Sequence, residues 1–368
     1  MPLQAELRAQ EEILLDSLKK KLGNKKLRIM FTLLATVAGG IEKSVLEVLK
    51  HIDRRVFEPE ILTYYGGKWE SLFSKYCPVH KQEKAEELVE KEGFDIVQIN
   101  NVPDLYFLAS KCVLVEVVYG LGPIFLRQAD KTALSRLLFC DERAKTFLLP
   151  LVYIEPHKVE ILNNPVNVNT AIALGQLREK LKTKKKIVGW VGRISTEKNV
   201  DLFLESAEML GNKYSYIIIG EGWRVGLNID LINKLKKLKV KVDYIPDVST
   251  DLLSSYIADM DLLCFTSHTE GQPLAMLEAM TVKTPCVSTN VGGISSVIDD
   301  GKTGFLVNYF TPEKYVAGIK RAIERGNHVV DRAYANMIMN HNAIDYTRKL
   351  EIIYLEEYLA RHTGYVKR

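Results

Sequence analysis

The stretch Lys186-Ile-Val-Gly-Trp-Val-Gly-Arg193 is a short apolar run that ends in a glycine and a cation. A helical pattern with one apolar face follows it, from about Val200 to Leu210. An apolar run followed by an amphipathic helix is typical of a buried parallel strand and its crossover helix. Ligands of such sheets bind beyond the carboxyl ends of the strands, so the residues just after each run are the candidates for function.

The same alternation recurs along the chain and predicts an α/β protein with two doubly wound, Rossmann-like sheets. In the first half the apolar runs are Arg28 to Leu34, Glu60 to Tyr64, Phe94 to Ile99 and Cys112 to Tyr119. In the second half they continue at Tyr214 to Ile219, Val240 to Ile245, Met260 to Phe265, Pro285 to Ser288 and Gly304 to Val307. After Tyr315 the pattern is helical to the end.

The length of 368 residues also favours two domains, with a cleft between them as the expected binding site. The best linker candidate is the stretch from Asn163 to Lys186, which carries Asn-Asn-Pro and a lysine-rich run. We predict an N-terminal domain over residues 1–165 and a C-terminal domain over residues 166–340. A last helix, residues 341–368, is expected to cross back to the first domain.

The composition indicates an ordinary globular protein, with 47% hydrophobic and 26% charged residues. A net charge of +4 does not indicate a nucleic-acid partner, although it suits an anionic ligand or membrane surface. The five cysteines are widely spaced without zinc-ligand spacing, which is typical of reduced core residues in the cytosol. We find no transmembrane or signal pattern and expect a cytoplasmic protein. The sequence does not indicate the oligomeric state.

The N-terminus carries an amphipathic helical pattern with two interpretations. The helix could touch anionic lipid, which would make the protein membrane-peripheral. It could instead pack on the body or extend as a solvated arm, which the pattern favours. The residues concerned are Leu3, Leu7, Ile13, Leu14 and Leu18, with Lys19, Lys20 and Lys21.

The stretch from Thr266 to Met280 carries the most informative chemistry. It reads as a loop after a buried strand, with Pro273 as the first residue of a helix. The backbone N–H groups from Gly271 to Leu274 would then point outward and attract phosphate or a sugar hydroxyl. Glu270 would lie at the mouth of this site, and Glu278 about a turn inside the helix could accept hydrogen bonds from a ribose diol. Alternatively, the first carboxylate caps the helix and the second is solvated.

Two cations and two glycine pairs lie in similar positions. Arg193 and Lys198 follow a strand, where they could neutralise a diphosphate without a metal or could be surface residues that flank an N-cap at Asn199. Gly39-Gly40 could bring backbone amides near a diphosphate or form a tight turn that needs positive φ. Gly292-Gly293 is expected to be a close-approach loop facing the same cleft.

Taken in order, these motifs resemble the GT-B retaining glycosyltransferases of family 4. The matching residues are Val191-Gly-Arg193 with Lys198, Gly220-Glu-Gly222, Glu270-Gly-Gln-Pro-Leu274 with Glu278-Ala-Met280, Thr284-Pro285, Gly292-Gly293 and Asp300-Gly-Lys-Thr-Gly-Phe-Leu-Val307. They cover essentially the whole second half. The first half matches more loosely, through Gly39-Gly40 and the sheet pattern.

The resemblance implies a role for each matching residue. The family needs no divalent metal, and the site loops carry no Asp-x-Asp, so we expect no metal and no cofactor beyond the nucleotide-sugar substrate. The implied roles are Gly39 and Gly40 facing the donor phosphates and the acceptor, Arg193 and Lys198 binding the diphosphate, Glu270 contacting the transferred sugar beside Gly271, Gln272, Pro273 and Leu274, and Glu278 holding the ribose.

One position departs from the family pattern. The family usually carries a His-Gly pair after the fourth strand of the first domain, near the reacting sugar, whereas this chain has Tyr119-Gly120. A tyrosine can offer its hydroxyl to a sugar or a phosphate, but it is a poor base near pH 7. Tyr119 could also be a core aromatic. The departure leaves the donor identity and the activity open.

We therefore predict an enzyme that transfers a sugar, with retention, from a nucleoside diphosphate to a saccharide, lipid-linked or small-molecule acceptor. A UDP-sugar 2-epimerase would need further carboxylates and a histidine that we cannot place. A catalytically weak or inactive nucleotide-sugar-binding protein is favoured by Tyr119 alone. The acceptor depends on two first-half loops that match no motif, Tyr64-Tyr-Gly-Gly-Lys-Trp69 and Asn100-Asn101.

Overall fold

The computed structural model describes residues 2–81, 85–100, 102, 105–120, 130–222 and 224–366. Two compact units make up the chain. Unit 1 extends to Pro165 and resumes at His341, and unit 2 is Val166–Asn340. Of the loops named above, Asn101 lies outside the described residues.

In its described residues, unit 1 has a seven-stranded parallel sheet, in the order β3-β2-β1-β4-β5-β6-β7. Its central strands are apolar on both faces because helices cover both sides; all six residues of β5 are buried. The strands are β1 Leu27–Ala35, β2 Phe57–Tyr65, β3 Val79–Lys81, β4 Ile96–Asn100, β5 Val113–Val118, β6 Arg136–Phe139 and β7 Val159–Ile161. The first helices are α1 Pro2–Leu22, α2 Gly40–His51, α3 Glu70–Phe73, α4 Ala85–Glu92 and α5 Glu142–Leu148.

Unit 2 has a six-stranded parallel sheet in its described residues, in the order β10-β9-β8-β11-β12-β13. The strand order reverses beside β8, so the loops after β8 and β11 lie next to each other at the carboxyl edge. The strands are β8 Ile187–Val191, β9 Ser215–Ile219, β10 Val242–Ile245, β11 Leu262–Phe265, β12 Cys286–Thr289 and β13 Phe305–Val307. The helices are α6 Gln176–Leu181, α7 Val200–Leu210, α8 Val225–Lys237, α9 Thr250–Ala258, α10 Leu274–Thr281, α11 Ile294–Val297, α12 Pro312–Arg325 and α13 Val330–Asn340.

The last helix, α14 Ala343–Thr363, belongs to unit 1 and packs along α1 and α2. Its Leu350 and Tyr354 are fully buried in the same core as Phe31 of β1. The N-terminal helix joins this core through Leu18, which is 1% exposed. The N-terminal helix therefore packs on the body of unit 1; of its predicted apolar residues, Leu3 lies outside the described side chains.

The predicted α/β class with two Rossmann-like sheets is confirmed, and each predicted strand is present within a few residues. The boundary between the two units, from Pro165 to Val166, lies inside the stretch from Asn163 to Lys186 that the sequence offers as a linker, and that stretch also contains α6. The sequence pattern missed the short strands β3, β6 and β7.

All five cysteines are free and buried. Burial raises the pKa of the Cys77 and Cys112 thiols to about 12. These thiols are therefore protonated at neutral pH and behave as core residues. Within the described residues, no helix combines the length and apolar character that crossing a bilayer would require.

Candidate functional site

Lys198 and Glu270 form a direct ion pair in unit 2. The Lys198 ammonium donates to both carboxylate oxygens of Glu270, at 2.6 Å to Oε1 and 2.8 Å to Oε2. The Glu270 side chain is 7% exposed and that of Lys198 is 24% exposed. The two residues come from the loops after β11 and β8, the neighbouring loops at the carboxyl edge of the sheet. Two of the predicted site residues, 72 positions apart in the chain, are thus in contact.

The backbone of Lys198 is held by a buried hydrogen-bond relay. The Trp190 indole N–H donates to the Thr266 hydroxyl at 3.0 Å, and that hydroxyl donates to the Lys198 carbonyl at 3.0 Å. Asn199 then adopts φ 47°, a left-handed conformation that asparagine tolerates, and α7 begins at Val200. Asn199 is the N-cap residue of α7, but its side chain makes no capping hydrogen bond. The relay explains how a short loop directs the Lys198 side chain toward Glu270.

The Glu270 carboxylate is oriented by a second relay from β12. The Ser267 hydroxyl donates to Glu270 Oε1 at 2.6 Å. The Thr289 hydroxyl donates to the Ser267 carbonyl at 2.7 Å, which ties the loop to the neighbouring strand. Since hydrogen bonds to an ionised carboxylate are short and strong, Glu270 is held by charge-assisted contacts on both of its oxygens.

Gly292 makes the close approach that the sequence predicts for this glycine pair. Its φ is +50°, and a Cβ built on it would lie 1.7 Å from the backbone oxygen of Glu270. The neighbouring Gly293 donates its N–H to that same oxygen at 3.0 Å. A side chain at Gly292 would therefore displace the loop that carries Glu270.

The helix after this loop begins one residue later than predicted. Pro273 is the N-cap residue, with ψ 121°, and α10 begins at Leu274, because an extended proline cannot close the first turn. Gly271 and Gln272 precede it, and the Gln272 amide donates to the Ser296 hydroxyl at 3.0 Å. Glu278 is half-buried, one turn inside α10, as predicted.

Arg193 lies at the exposed rim of the same edge. Its guanidinium pairs with Glu197 at 2.9 Å, and its side chain is 52% exposed. Glu197 also accepts the backbone N–H of His268 through its main-chain oxygen, at 2.8 Å, so the Arg193 loop and the Glu270 loop are joined. An exposed pair of this kind is held weakly, so Arg193 can change partners at little cost.

The predicted site residues of unit 1 have local explanations of their own. Gly39 is the N-cap residue of α2 with φ −149°, so the interpretation as a positive-φ turn is wrong at this position. A Cβ on Gly39 would lie 2.2 Å from Glu42 Oε2, so the glycine leaves room for this carboxylate. Glu42 thus places a negative charge at the start of α2, next to Gly39, where the helix dipole favours one.

Tyr119 directs its hydroxyl into unit 1. The phenol donates to Asn100 Oδ1 at 3.1 Å, and the Gln98 amide donates to the same oxygen at 2.8 Å. The Gln98 side chain in turn accepts a hydrogen bond from Tyr354 of α14. Burial raises the pKa of the Tyr119 phenol well above its usual value. This hydroxyl is therefore not a base at neutral pH.

Most of unit 2 matches a known protein family. Residues 176–345 match the family model described as glycosyl transferases group 1, which spans nearly all of unit 2. Solved structures, among them a glycosyltransferase, align over both units with the same fold. Most of unit 2 is therefore similar to the group 1 glycosyl transferases, and the chain has the GT-B fold.

Relatives of the chain include named bacterial enzymes. The chain is 24% identical, over 274 residues, to the UDP-Gal:alpha-D-GlcNAc-diphosphoundecaprenol alpha-1,3-galactosyltransferase of Escherichia coli; the match covers 70% of this chain and 68% of that enzyme. It is 27% identical, over 188 residues, to the D-inositol 3-phosphate glycosyltransferase of Mycolicibacterium gilvum, covering 49% of this chain and 42% of the relative. The family match and these relatives support glycosyltransferase activity on a nucleotide sugar.

Solved structures that share the fold of this chain include the following two. The Anabaena protein Alr3699/HepE in complex with UDP and glucose aligns with a TM-score of 0.76 at 16% identity, covering 88% of this chain and 98% of that chain. A glycosyltransferase from Rickettsia africae aligns with a TM-score of 0.75 at 17% identity, covering 91% and 99%.

Sequence reasoning missed the residues that hold the candidate site together. Thr266 and Thr289 bear hydroxyls whose partners follow other strands, whereas the Ser267 hydroxyl bonds Glu270 within the same loop. Trp190 reads as an ordinary core aromatic. The signal that was available is the position of Ser267, a hydroxyl residue three positions before Glu270 in a loop after a strand. Its partner could not be read from spacing alone.

Proposed function

We propose that the chain is a retaining glycosyltransferase that transfers a sugar from a nucleoside diphosphate to an acceptor hydroxyl without a divalent metal. The observation that carries the proposal is the Lys198–Glu270 pair, which combines a cation with a buried carboxylate beside the start of α10. This arrangement suits a ligand with anionic phosphates on one side and sugar hydroxyls on the other.

In this proposal Lys198, Arg193 and the amides at the start of α10 stabilise negative charge on the departing diphosphate. The bond between the anomeric carbon and the diphosphate oxygen breaks, and a bond to the acceptor oxygen forms on the same face of the sugar. The acceptor proton passes to the leaving phosphate. Stabilising charge that develops in the transition state is the catalytic effect.

Glu270 would accept hydrogen bonds from the transferred sugar, and Glu278 from the ribose. Gly271, Gln272, Pro273 and Leu274 would line the donor between them. The family resemblance also assigns Gly39 and Gly40 to the reaction, and Tyr119, at the position of the family's histidine, is proposed to stand near the reacting sugar. Because Glu42 already places a negative charge beside Gly39, we propose that this loop serves the acceptor hydroxyl and not the phosphates.

The acceptor is proposed to be a saccharide, a lipid-linked saccharide or a small metabolite. The Escherichia coli relative is named for a diphosphoundecaprenol-linked acceptor, which supports the lipid-linked choice. The protein is proposed to be cytoplasmic and to touch the membrane surface; exposed apolar residues of α1, including Ile13 at 71% and Leu7 at 48%, support the membrane contact.

The second candidate is a nucleotide-sugar-binding protein with weak or no transferase activity. It is favoured by Tyr119, which occupies the position where the resemblance leads us to expect a histidine. The Tyr119 hydroxyl also points into unit 1, where it donates to Asn100. This candidate predicts donor binding without turnover.

Thermal-shift measurements with UDP-glucose, UDP-galactose and a panel of other nucleotide sugars, in the presence of EDTA, test the proposal. A donor at one hundred times its dissociation constant should stabilise the protein by about 2.7 kcal/mol. The best donor is then assayed for hydrolysis or transfer in the wild type and in Glu270→Ala. Turnover that Glu270→Ala abolishes supports the enzyme, binding without turnover supports the second candidate, and a strict need for Mg²⁺ contradicts metal independence.

A further inference from the structure

In the ligand-free protein the central charges of unit 2 neutralise each other. Both oxygens of the Glu270 carboxylate accept from the Lys198 ammonium, and Oε1 also accepts from Ser267. Among the described residues, these two side chains are the hydrogen-bond partners that the structure gives this carboxylate. A diphosphate therefore does not meet an unengaged lysine, and it has to compete with a buried carboxylate for the ammonium.

That competition is unfavourable for a nucleoside diphosphate alone. If Lys198 turns to the phosphates, the Glu270 carboxylate keeps a single side-chain donor, Ser267, although it is only 7% exposed. Leaving a buried charge with too few partners costs much more than breaking an exposed pair. The phosphate gains a cation, but the protein loses the partner of a buried anion.

An intact nucleotide sugar removes this cost. Its sugar carries hydroxyl donors, and two hydroxyls can replace the two hydrogen bonds that Lys198 gave to Glu270. The ammonium then moves to the diphosphate while the carboxylate stays satisfied. We propose that the Lys198–Glu270 pair makes the domain select the intact nucleotide sugar over the free nucleoside diphosphate, an inference that rests on the donor site proposed above.

The same exchange assists product release. Once the sugar has left, Glu270 lacks its hydroxyl donors and takes Lys198 back, so the remaining diphosphate loses a cation. The pair thereby weakens binding of the product while preserving binding of the substrate. Lys198 and Glu270 act together as a specificity device, and Ser267 keeps the carboxylate oriented through the exchange.

The test compares the dissociation constants of UDP and UDP-glucose, measured by calorimetry, in the wild type and in Glu270→Gln. The substitution removes the negative charge and frees Lys198 for the phosphates. We expect the wild type to bind UDP-glucose at least tenfold more tightly than UDP. We expect Glu270→Gln to bind UDP at least threefold more tightly than the wild type does and to bind UDP-glucose more weakly. The ratio of the two dissociation constants should then be close to one.

A matched control is available in the same unit. Lys234 pairs with both oxygens of Asp201, at 2.6 and 2.7 Å, but both side chains are about half exposed. Asp201→Asn should leave both dissociation constants unchanged. Lys198→Ala provides the second comparison: in that background Glu270→Gln should no longer tighten UDP, because the gain depends on the lysine. If the glutamine variant does not fold, as judged by thermal unfolding, Glu270→Ala replaces it with the same expectations.

The outcomes separate the two proposals. If UDP binds the Glu270 variant no more tightly than the wild type, or if the gain persists in the Lys198→Ala background, the selectivity mechanism is overturned while the donor site stands. If the wild type binds no nucleotide sugar and no nucleoside diphosphate, including UDP-glucose and UDP, the proposed function and the inference are both wrong.

Discussion

At the scale of single residues, the candidate site depends on short polar contacts whose partners come from different strands. Lys198 shows this most directly, because its ammonium, in the loop after β8, meets the Glu270 carboxylate, in the loop after β11, at 2.6 Å. The loop is also shaped by a residue without a side chain, Gly292, which lies against the Glu270 backbone. The charged residues suggest the chemistry, and small residues hold them in place.

Replacing Ser267 with alanine should weaken the donor site without unfolding the protein. A hydrogen bond to a charged group contributes about 1.5–3 kcal/mol, so we expect kcat/KM for the donor to fall by about tenfold or more. Steady-state kinetics measure the change. Thr269→Ala, at an exposed position of the same loop, serves as the control and should be close to wild type. Equal rates for Ser267→Ala and wild type would contradict the orienting role of this hydroxyl.

Replacing Gly292 with alanine should both strain the backbone and displace the Glu270 loop. The new Cβ would lie 1.7 Å from the Glu270 oxygen at a φ of +50°, so a loss of about 2 kcal/mol in unfolding free energy is expected, with a large loss of activity. Gly226→Ala is the matched control, since a Cβ there meets nothing within 4 Å. It lies in α8 and should stabilise slightly. Urea unfolding that finds both variants equally stable would contradict the close approach.

At the scale of elements, the two terminal helices complete unit 1. Helix α14 fills the core between α1 and α2. Two of its buried carboxylates, Glu356 and Glu357, pair with Arg136 of β6. Helix α1 is attached by apolar contacts and by ion pairs such as that of Arg348 with Glu12, at 2.9 Å. Helix α1 is therefore a structural part of unit 1.

The docking of α1 can be tested with two substitutions on the same helix. Leu18→Ala removes a side chain that is 1% exposed and should lower the unfolding free energy by about 3 kcal/mol. Ile13→Ala removes one that is 71% exposed and should change it by less than about 0.5 kcal/mol. Denaturant titration of both variants measures these unfolding free energies. Similar effects of the two substitutions would show that α1 is detached in solution.

The sequence pattern predicted the long elements well because their apolar periodicity is local. It missed β6 because this four-residue strand carries Arg136, whose charge is satisfied by Glu357 some 221 positions away. The same limit applies to the site. Motif spacing identified Lys198 and Glu270, but their mutual contact and the Ser267 relay exist only after β8, β11 and β12 are assembled. The sequence singled out Gly39 because it lacks a side chain. The structure shows that this glycine makes room for the Glu42 carboxylate.

At the scale of the whole molecule, the chain passes from unit 1 to unit 2 after Pro165 and returns after Asn340. The residues beside these two crossings are joined, because His341 Nδ1 lies 2.9 Å from the backbone oxygen of Asn164. His341 is 2% exposed, and its burial lowers the pKa of the imidazole to about 4. This histidine is therefore neutral in the folded protein at neutral pH.

The buried His341 predicts a specific dependence of stability on pH. In the unfolded chain the imidazole has a pKa near 6.5, so between about pH 6.5 and 4 the unfolded state binds the additional proton. The lowered pKa of His341 therefore contributes about 3 kcal/mol to the unfolding free energy. This contribution is complete above pH 6.5 and is lost as the pH falls toward 4. Unfolding free energies measured from pH 7.5 to 4.5 should fall less steeply for His341→Gln than for wild type. Parallel curves would contradict the neutral buried state.

The return of the chain to unit 1 has a consequence for biosynthesis. Residues 166–340 form a continuous segment with its own core, so this unit can fold on the ribosome as soon as it has emerged. Unit 1 cannot, because Leu350 and Tyr354 reach its core only when the final helix is translated. Until then the apolar surface of α2 and β1 stays uncovered, and a nascent chain stalled near residue 340 should be a client for chaperones.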